Sequence, residues 1–288
     1  VGARITGLVI AIKTLRIWAM TRKTQRLSDG TQIGYRDVGR GEALVLLHGV
    51  GMCAEAWGPQ ITFFAQKNRV IALDMPGHGT SDLLSGAPEL PDFVAWAARA
   101  LRHLGVTSAN IAGHSMGALM AAGLAADNPD LVQRLAVLNS VYCRSDAARA
   151  AVQARAAALA AGSNDIDVPL ARWFGPKDQD LRDQVADWLR GVNLAGYAAA
   201  YHAFANGDAT YADNWVQIQC PTLVLTATGD ANSTPEMAQA MAAASPLGWA
   251  VVIEGHRHMV NLTAPDTVNL ALADWLVTPI HATKGKHA

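Results

Sequence analysis

The chain has 288 residues, 23 Lys plus Arg, 24 Asp plus Glu, and a formal net charge of −1. That length can bury a large core in one or two domains. So even a charge balance gives no footprint for nucleic acid or for an acidic partner. The three cysteines, Cys53, Cys143 and Cys220, are odd in number and widely spaced. They argue against a disulfide framework and a structural zinc site, and each reads as a small buried hydrophobe.

Residues 1–23 read as an N-terminal extension. Residues 5–12 are apolar, and Lys13, Arg16 and Ile17-Trp18-Ala19-Met20 follow. The run is too short to span a bilayer and lacks a small-residue cleavage site. The expected location is therefore cytoplasmic, with an amphipathic helix lying on a membrane as the competing reading.

Core-type sequence begins after Met20. Residues 26–38 predict a hairpin turning at Ser28-Asp29-Gly30. Residues 43–47 are continuously apolar, as in a strand covered on both faces, and run into His48-Gly49-Val50-Gly51. Residues 70–73 repeat the signal before Asp74-Met75-Pro76-Gly77-His78-Gly79-Thr80-Ser81. Residues 93–104 have helical spacing, with Pro91-Asp92 near the start. A third short apolar run, 110–112, enters Gly113-His114-Ser115-Met116-Gly117 and then a small-residue helical run, 118–126. Residues 131–138 predict the end of a helix and a further strand. The alternation of β and α signals argues for a parallel sheet with helices on both faces.

That rhythm stops over residues 141–214, where alanine-rich helical patterns carry scattered aromatics and no central strand is predicted. It resumes at Pro221-Thr222-Leu223-Val224-Leu225, which leads to Gly229-Asp230. A last strand, 249–254, leads to Gly255-His256-Arg257-His258. Residues 279–288 read as a flexible tail.

The G-x-S-x-G sequence between a strand and a helix, followed in order by Asp and His after later strands, resembles the α/β-hydrolase superfamily over roughly residues 24–278. The segments Asp74–Ser81 and His258–Pro265 also look like that family's. The resemblance implies an α/β-hydrolase fold: a mostly parallel central sheet with helices on both faces. Residues 24–140 and 216–278 would form the core, and 141–215 a helical cap over the site.

The resemblance also assigns roles. Ser115 is the expected nucleophile, where the ordinary alternative is a helix-capping serine. His258 is the expected general base, with His256 as rival; the family commonly places this histidine seven positions before such a proline, here Pro265. Asp230 is the expected acid. The alternative position after the sixth strand reads Asn139-Ser140 and holds no carboxylate. Val50 and Met116 are the expected backbone N–H donors of an oxyanion hole. His48 reads as a structural support for that loop, and His114 as packed beneath the turn. His256, His258 and Asp230 read as a metal site only weakly, because no cluster of further ligands supports them. Gly77-His78-Gly79 lacks the rest of a dinucleotide fingerprint.

The expected activity is cofactor-free hydrolysis of a carboxylic ester of a small or medium, mainly apolar acyl compound through an acyl-enzyme. The partner would be a small-molecule ester or lactone. Lactone, enol-lactone or C–C bond hydrolysis uses the same triad, and some relatives keep it while serving as ligand receptors. The oligomeric state stays open.

Overall fold

The computed structural model describes residues 21–280. The readings made for residues 1–20 and 281–288, the membrane-surface helix and most of the tail, lie outside the described residues. No helix among the described residues is long and apolar enough to cross a membrane.

Eight strands form one sheet in the order β1-β2-β4-β3-β5-β6-β7-β8. The first two, β1 (Lys23–Arg26) and β2 (Gln32–Val38), make the hairpin read from the sequence. β2 is also antiparallel to β4 (Arg69–Asp74). The remaining strands run parallel: β3 (Ala43–Leu47), β4, β5 (Ala109–His114), β6 (Val132–Leu138), β7 (Thr222–Ala227) and β8 (Gly248–Ile253).

The central strands are largely apolar because both sheet faces are covered there, whereas the edge strand β1 is polar and exposed, and the two-residue strand period sorts the side chains into two cores. Val45 and Leu47 of β3, with Ile71 and Leu73 of β4, face the core that also holds Trp96. Leu44, Leu46, Val70 and Ala72 face the other, which holds Trp57 and Trp275. Helices α1 (Gly58–Phe64), α2 (Leu90–His103) and α3 (Met116–Asp127) follow β3, β4 and β5. α3 is buried on all sides from Met116 to Ala125, which explains a sequence without a polar face.

Four helices connect β6 to β7: α4 (Asp146–Ala160), α5 (Asp167–Trp173), α6 (Gln179–Gly191) and α7 (Leu194–Asn206). The chain then returns through α8 (Pro235–Ala244), β8, the single turn α9 (Val260–Thr263) and α10 (Pro265–Leu276). Because β3 lies between β4 and β5, the strand order reverses there. The crevice for a ligand in such sheets opens at the carboxyl ends of the strands at that reversal. One cysteine departs from the sequence reading. Cys53 is buried and Cys220 half-buried, but Cys143 is exposed, on a turn residue with φ of 46°.

Candidate active site

Ser115 sits between the last residue of β5 and the first residue of α3, with φ 55° and ψ −116°. A non-glycine residue there is strained, and such strain persists only where the surroundings impose it. They do so here through close packing of the turn. A Cβ on Gly113 would overlap the Gly117 carbonyl, and one on Gly117 would overlap the Leu47 carbonyl. The two flanking glycines are therefore required by space, and the Ser115 N–H is held by the Leu138 carbonyl at 2.9 Å.

The loop after β8 brings His258 to this serine, with Nε2 3.1 Å from Ser115 Oγ. The loop after β7 brings Asp230, whose Oδ2 lies 2.8 Å from His258 Nδ1. A carboxylate only accepts, so Nδ1 carries the proton and Nε2 presents its lone pair to the serine hydroxyl. Asp230 Oδ2 also accepts from Asn139 Nδ2 at 2.8 Å, and its Oδ1 accepts from the Asn232 and Ser233 N–H groups at 2.8 and 3.2 Å. Burial alone would raise the Asp230 pKa. The adjoining His258, with its hydrogen bond and those from Asn139 and the Asn232 N–H, outweighs burial and holds the carboxyl below its ordinary value. His256 is directed elsewhere, 3.0 Å from Thr263 Oγ1. Ser115, His258 and Asp230 are thus brought together as the sequence reading expected, and the rival His256 is not part of the set.

Val50 and Met116 flank the serine. Met116 opens α3, so its N–H has no acceptor within the helix. The direction of the Val50 N–H follows from its neighbour. The peptide joining Gly49 to Val50 is planar and trans, so its C=O and N–H point opposite ways. His48 Nδ1 lies 2.7 Å from the Gly49 carbonyl, and the Met52 N–H donates to the same oxygen at 3.1 Å. Holding that carbonyl fixes the Val50 N–H. His48 Nε2 in turn accepts the Met75 N–H at 2.9 Å. His78 repeats the arrangement, its Nε2 accepting the Gly51 N–H at 2.9 Å and its Nδ1 donating to the Pro76 carbonyl at 3.0 Å. Both rings need a neutral imidazole with the proton on Nδ1. Burial supplies it, lowering His48 to about 4 and His78 to about 3. The sequence reading assigned His48 this supporting role and gave His78 none.

Ser115, His258 and Val50 open into a cavity of about 550 Å³ roofed by α4, α5 and α7. Trp173, at the end of α5, lies over His258 with ring centroids 5.7 Å apart and an interplanar angle of 31°. Three arginines line the cavity, Arg144, Arg155 and Arg172, and none of the lining side chains is a carboxylate. Arg144 is buried and pairs with Asp208 at 3.3 Å, but its Nη2 is buried without a hydrogen-bond partner. Arg172 donates to Asn232 at 3.1 Å. Arg155 donates to Tyr197 Oη at 3.2 Å and to the Asp165 carbonyl at 3.0 Å. The sequence reading attended to the aromatics of this stretch and missed the arginines. The signal present was basic residues at 144, 155 and 172 in an otherwise alanine-rich segment. Among the described residues no three His, Cys, Asp or Glu side chains converge on a common point as metal ligands would.

This strand order, the strained serine and its partners at the carboxyl ends of β5, β7 and β8 define an α/β-hydrolase. The chain belongs to the Alpha/beta hydrolase family, whose model matches residues 44–271, and it is a hydrolase. Among known proteins it is 52% identical over 261 residues to the (E)-2-((N-methylformamido)methylene)succinate hydrolase of Acinetobacter baylyi, across 90% of this chain and 99% of that protein. Two solved structures share the fold. A thermophilic esterase from Thermogutta terrifontis, with malate bound, has a TM-score of 0.81 at 24% identity, over 89% of this chain and 98% of that one. The enol-lactonase from Burkholderia xenovorans LB400 has a TM-score of 0.78 at 24% identity, over 89% and 100%.

Proposed function

We propose that Ser115, His258 and Asp230 act as a triad for acyl transfer, on a small molecule that carries carboxylate groups besides the acyl bond being cut. The observation that carries the substrate class is the lining of the cavity shared with Ser115, which holds three arginines, Arg144, Arg155 and Arg172, and no carboxylate. A cavity lined by guanidinium groups and no carboxylate favours an anion, and a carboxylate is the planar acceptor that suits a guanidinium. This replaces the mainly apolar acyl compound expected from the sequence.

Ser115 Oγ attacks the carbonyl as His258 Nε2 takes its proton. The Val50 and Met116 N–H groups hold the oxyanion. His258 returns the proton to the departing group, and water, activated by the same imidazole, releases the acid from the acyl-serine. Asp230 fixes the imidazole tautomer and stabilises the imidazolium. The helices α4 to α7 serve as a cap that excludes bulk water and supplies the arginines.

The Acinetobacter relative's name describes a succinate bearing an N-acyl group. At 52% identity over nearly the whole chain it favours an N-acyl enamine of a dicarboxylic acid as the substrate here. Ester cleavage is the wider chemistry of the same centre. The test compares p-nitrophenyl hemisuccinate with p-nitrophenyl butyrate. One charged hydrogen bond to a carboxylate is worth about 1.5–3 kcal/mol, so kcat/KM is expected to favour the anionic ester by roughly 10–100-fold. Equal rates, or a preference for butyrate, would contradict the proposed substrate class while leaving the triad standing.

A further inference from the structure

The oxyanion loop and the arginines belong to different parts of the chain, and Tyr197 joins them. Tyr197, on α7, is fully buried. Its Oη accepts from Arg155 Nη2 at 3.2 Å, and Arg155 lines the cavity that holds Ser115. Its ring packs against Gly51, where an added Cβ would stand 3.1 Å from Tyr197 Cε2 and 2.7 Å from Leu189 Cδ2. The ring also meets His78 edge-on, with centroids 6.5 Å apart, and His78 Nε2 holds the Gly51 N–H. At the residues just before Tyr197 and His78, the backbones of Gly196 and Gly77 touch so closely that a Cβ on either would overlap the other. The cap helix and the loop that carries Val50 therefore form one packed unit, and a phenolic oxygen is its polar link to the cavity.

We propose that Tyr197 is a positioning residue that couples engagement of a substrate carboxylate by Arg155 to the placement of the Val50 N–H in the oxyanion hole. This rests on the reading of the site as an acyl hydrolase for anionic substrates. Arg155 Nη2 is anchored to Tyr197 and to the Asp165 carbonyl, and the rest of the guanidinium fork remains to meet an anion. A carboxylate held by that fork draws the guanidinium toward it, and the Tyr197 ring transmits the shift to Gly51 and His78. Interactions of this kind, made with a remote part of the substrate, express themselves in kcat as well as in KM.

Tyr197→Phe keeps the ring against Gly51 and removes only the link to Arg155. The experiment measures kcat and KM of the wild type and Y197F with p-nitrophenyl hemisuccinate and with p-nitrophenyl butyrate. It also follows the Gly51 amide and His78 imidazole NMR signals of both proteins during titration with succinate. The expected result is a kcat loss for the hemisuccinate at least fivefold greater than that for the butyrate. Succinate is expected to shift the Gly51 and His78 signals in the wild type, with that response strongly reduced in Y197F. Equal losses on the two esters, or no loss on either, would show that Tyr197 only packs and would overturn the coupling. So would succinate binding that shifts other cavity signals and leaves Gly51 and His78 still. Failure of succinate to bind at all would instead remove the anionic-substrate reading, and the coupling with it.

Discussion

His114 Nε2 lies 2.8 Å from the main-chain carbonyl of His258 and donates to it, tying the residue before the serine directly to the residue that faces the serine. The two imidazole rings are 5.0 Å apart, and Trp57 meets His114 edge-on at 6.5 Å. Burial and the neighbouring His258 lower His114 to about 3, so it stays neutral and the donor role is constant at neutral pH. The distance between Ser115 and His258 is therefore set by a bond that passes beneath them.

His114→Phe keeps the volume and removes the donor. The His258 carbonyl is then left without this partner, at a cost of about 1–3 kcal/mol. The expected outcome is a fall in unfolding free energy of that size by urea titration, and a lower kcat with KM little changed.

Asp230→Asn presents an amide where His258 needs an acceptor, and the imidazole is driven toward the wrong tautomer. A loss of about 10⁴-fold in kcat is expected, with the fold retained. Asn139, which donates to the same carboxylate oxygen at 2.8 Å, acts one step further out. Asn139→Leu is expected to cost far less than D230N, measured as kcat on a common substrate.

Arg144→Met keeps much of the side-chain length and removes the charge. With a carboxylate-bearing substrate KM is expected to rise by roughly 10–100-fold, the equivalent of about 1.5–3 kcal/mol. The variant also leaves Asp208, buried and otherwise paired with Arg149 at 3.3 Å, with one cation fewer. A lower melting temperature should accompany the change, and the substrate dependence of KM separates the two effects.

Stability should fall with acid in a defined window. His48, His78 and His114 are depressed to about 4, 3 and 3, whereas unfolded histidines titrate near 6.5. Between those values the unfolded chain binds protons that the folded chain refuses, so stability is full above pH 6.5 and drains as pH drops toward 4. Three such groups give a slope of about 4 kcal/mol per pH unit at most. The Asp230 carboxyl adds a loss of the same sign below its unfolded value of about 3.9. Denaturant midpoints from pH 8 to 4.5 measure the slope. Midpoints that stay flat across pH 6.5 to 4.5 would refute the assignment of three neutral buried histidines.

Much of this was legible in the chain because it depends on local pattern. The strand at residues 43–47 and the elbow at Ser115 are fixed by short-range rules, apolar continuity and the need for Gly113 and Gly117. Asp230 and His258 were legible through the resemblance to α/β-hydrolases, which expects Asp and then His after later strands and favours His258 over His256 by its spacing to Pro265. Three features were not. The role of His78 depends on a hydrogen bond to Gly51 across 27 residues, which no spacing encodes. The bond from His114 to His258 spans 144 residues. That Arg144, Arg155 and Arg172 line one cavity with Ser115 depends on how α4, the turn before it and α5 pack over the sheet, since each arginine taken alone reads as an ordinary solvated charge.

We propose acyl transfer by Ser115 on a carboxylate-bearing substrate. The most direct measurement is turnover of (E)-2-((N-methylformamido)methylene)succinate by the wild type and by Ser115→Ala, at equal concentration and verified fold. Steady turnover by the wild type and a loss of at least about 10³-fold in the variant are expected. Equal turnover by the two proteins, or none by the wild type alongside rapid hydrolysis of neutral esters, would contradict the proposal.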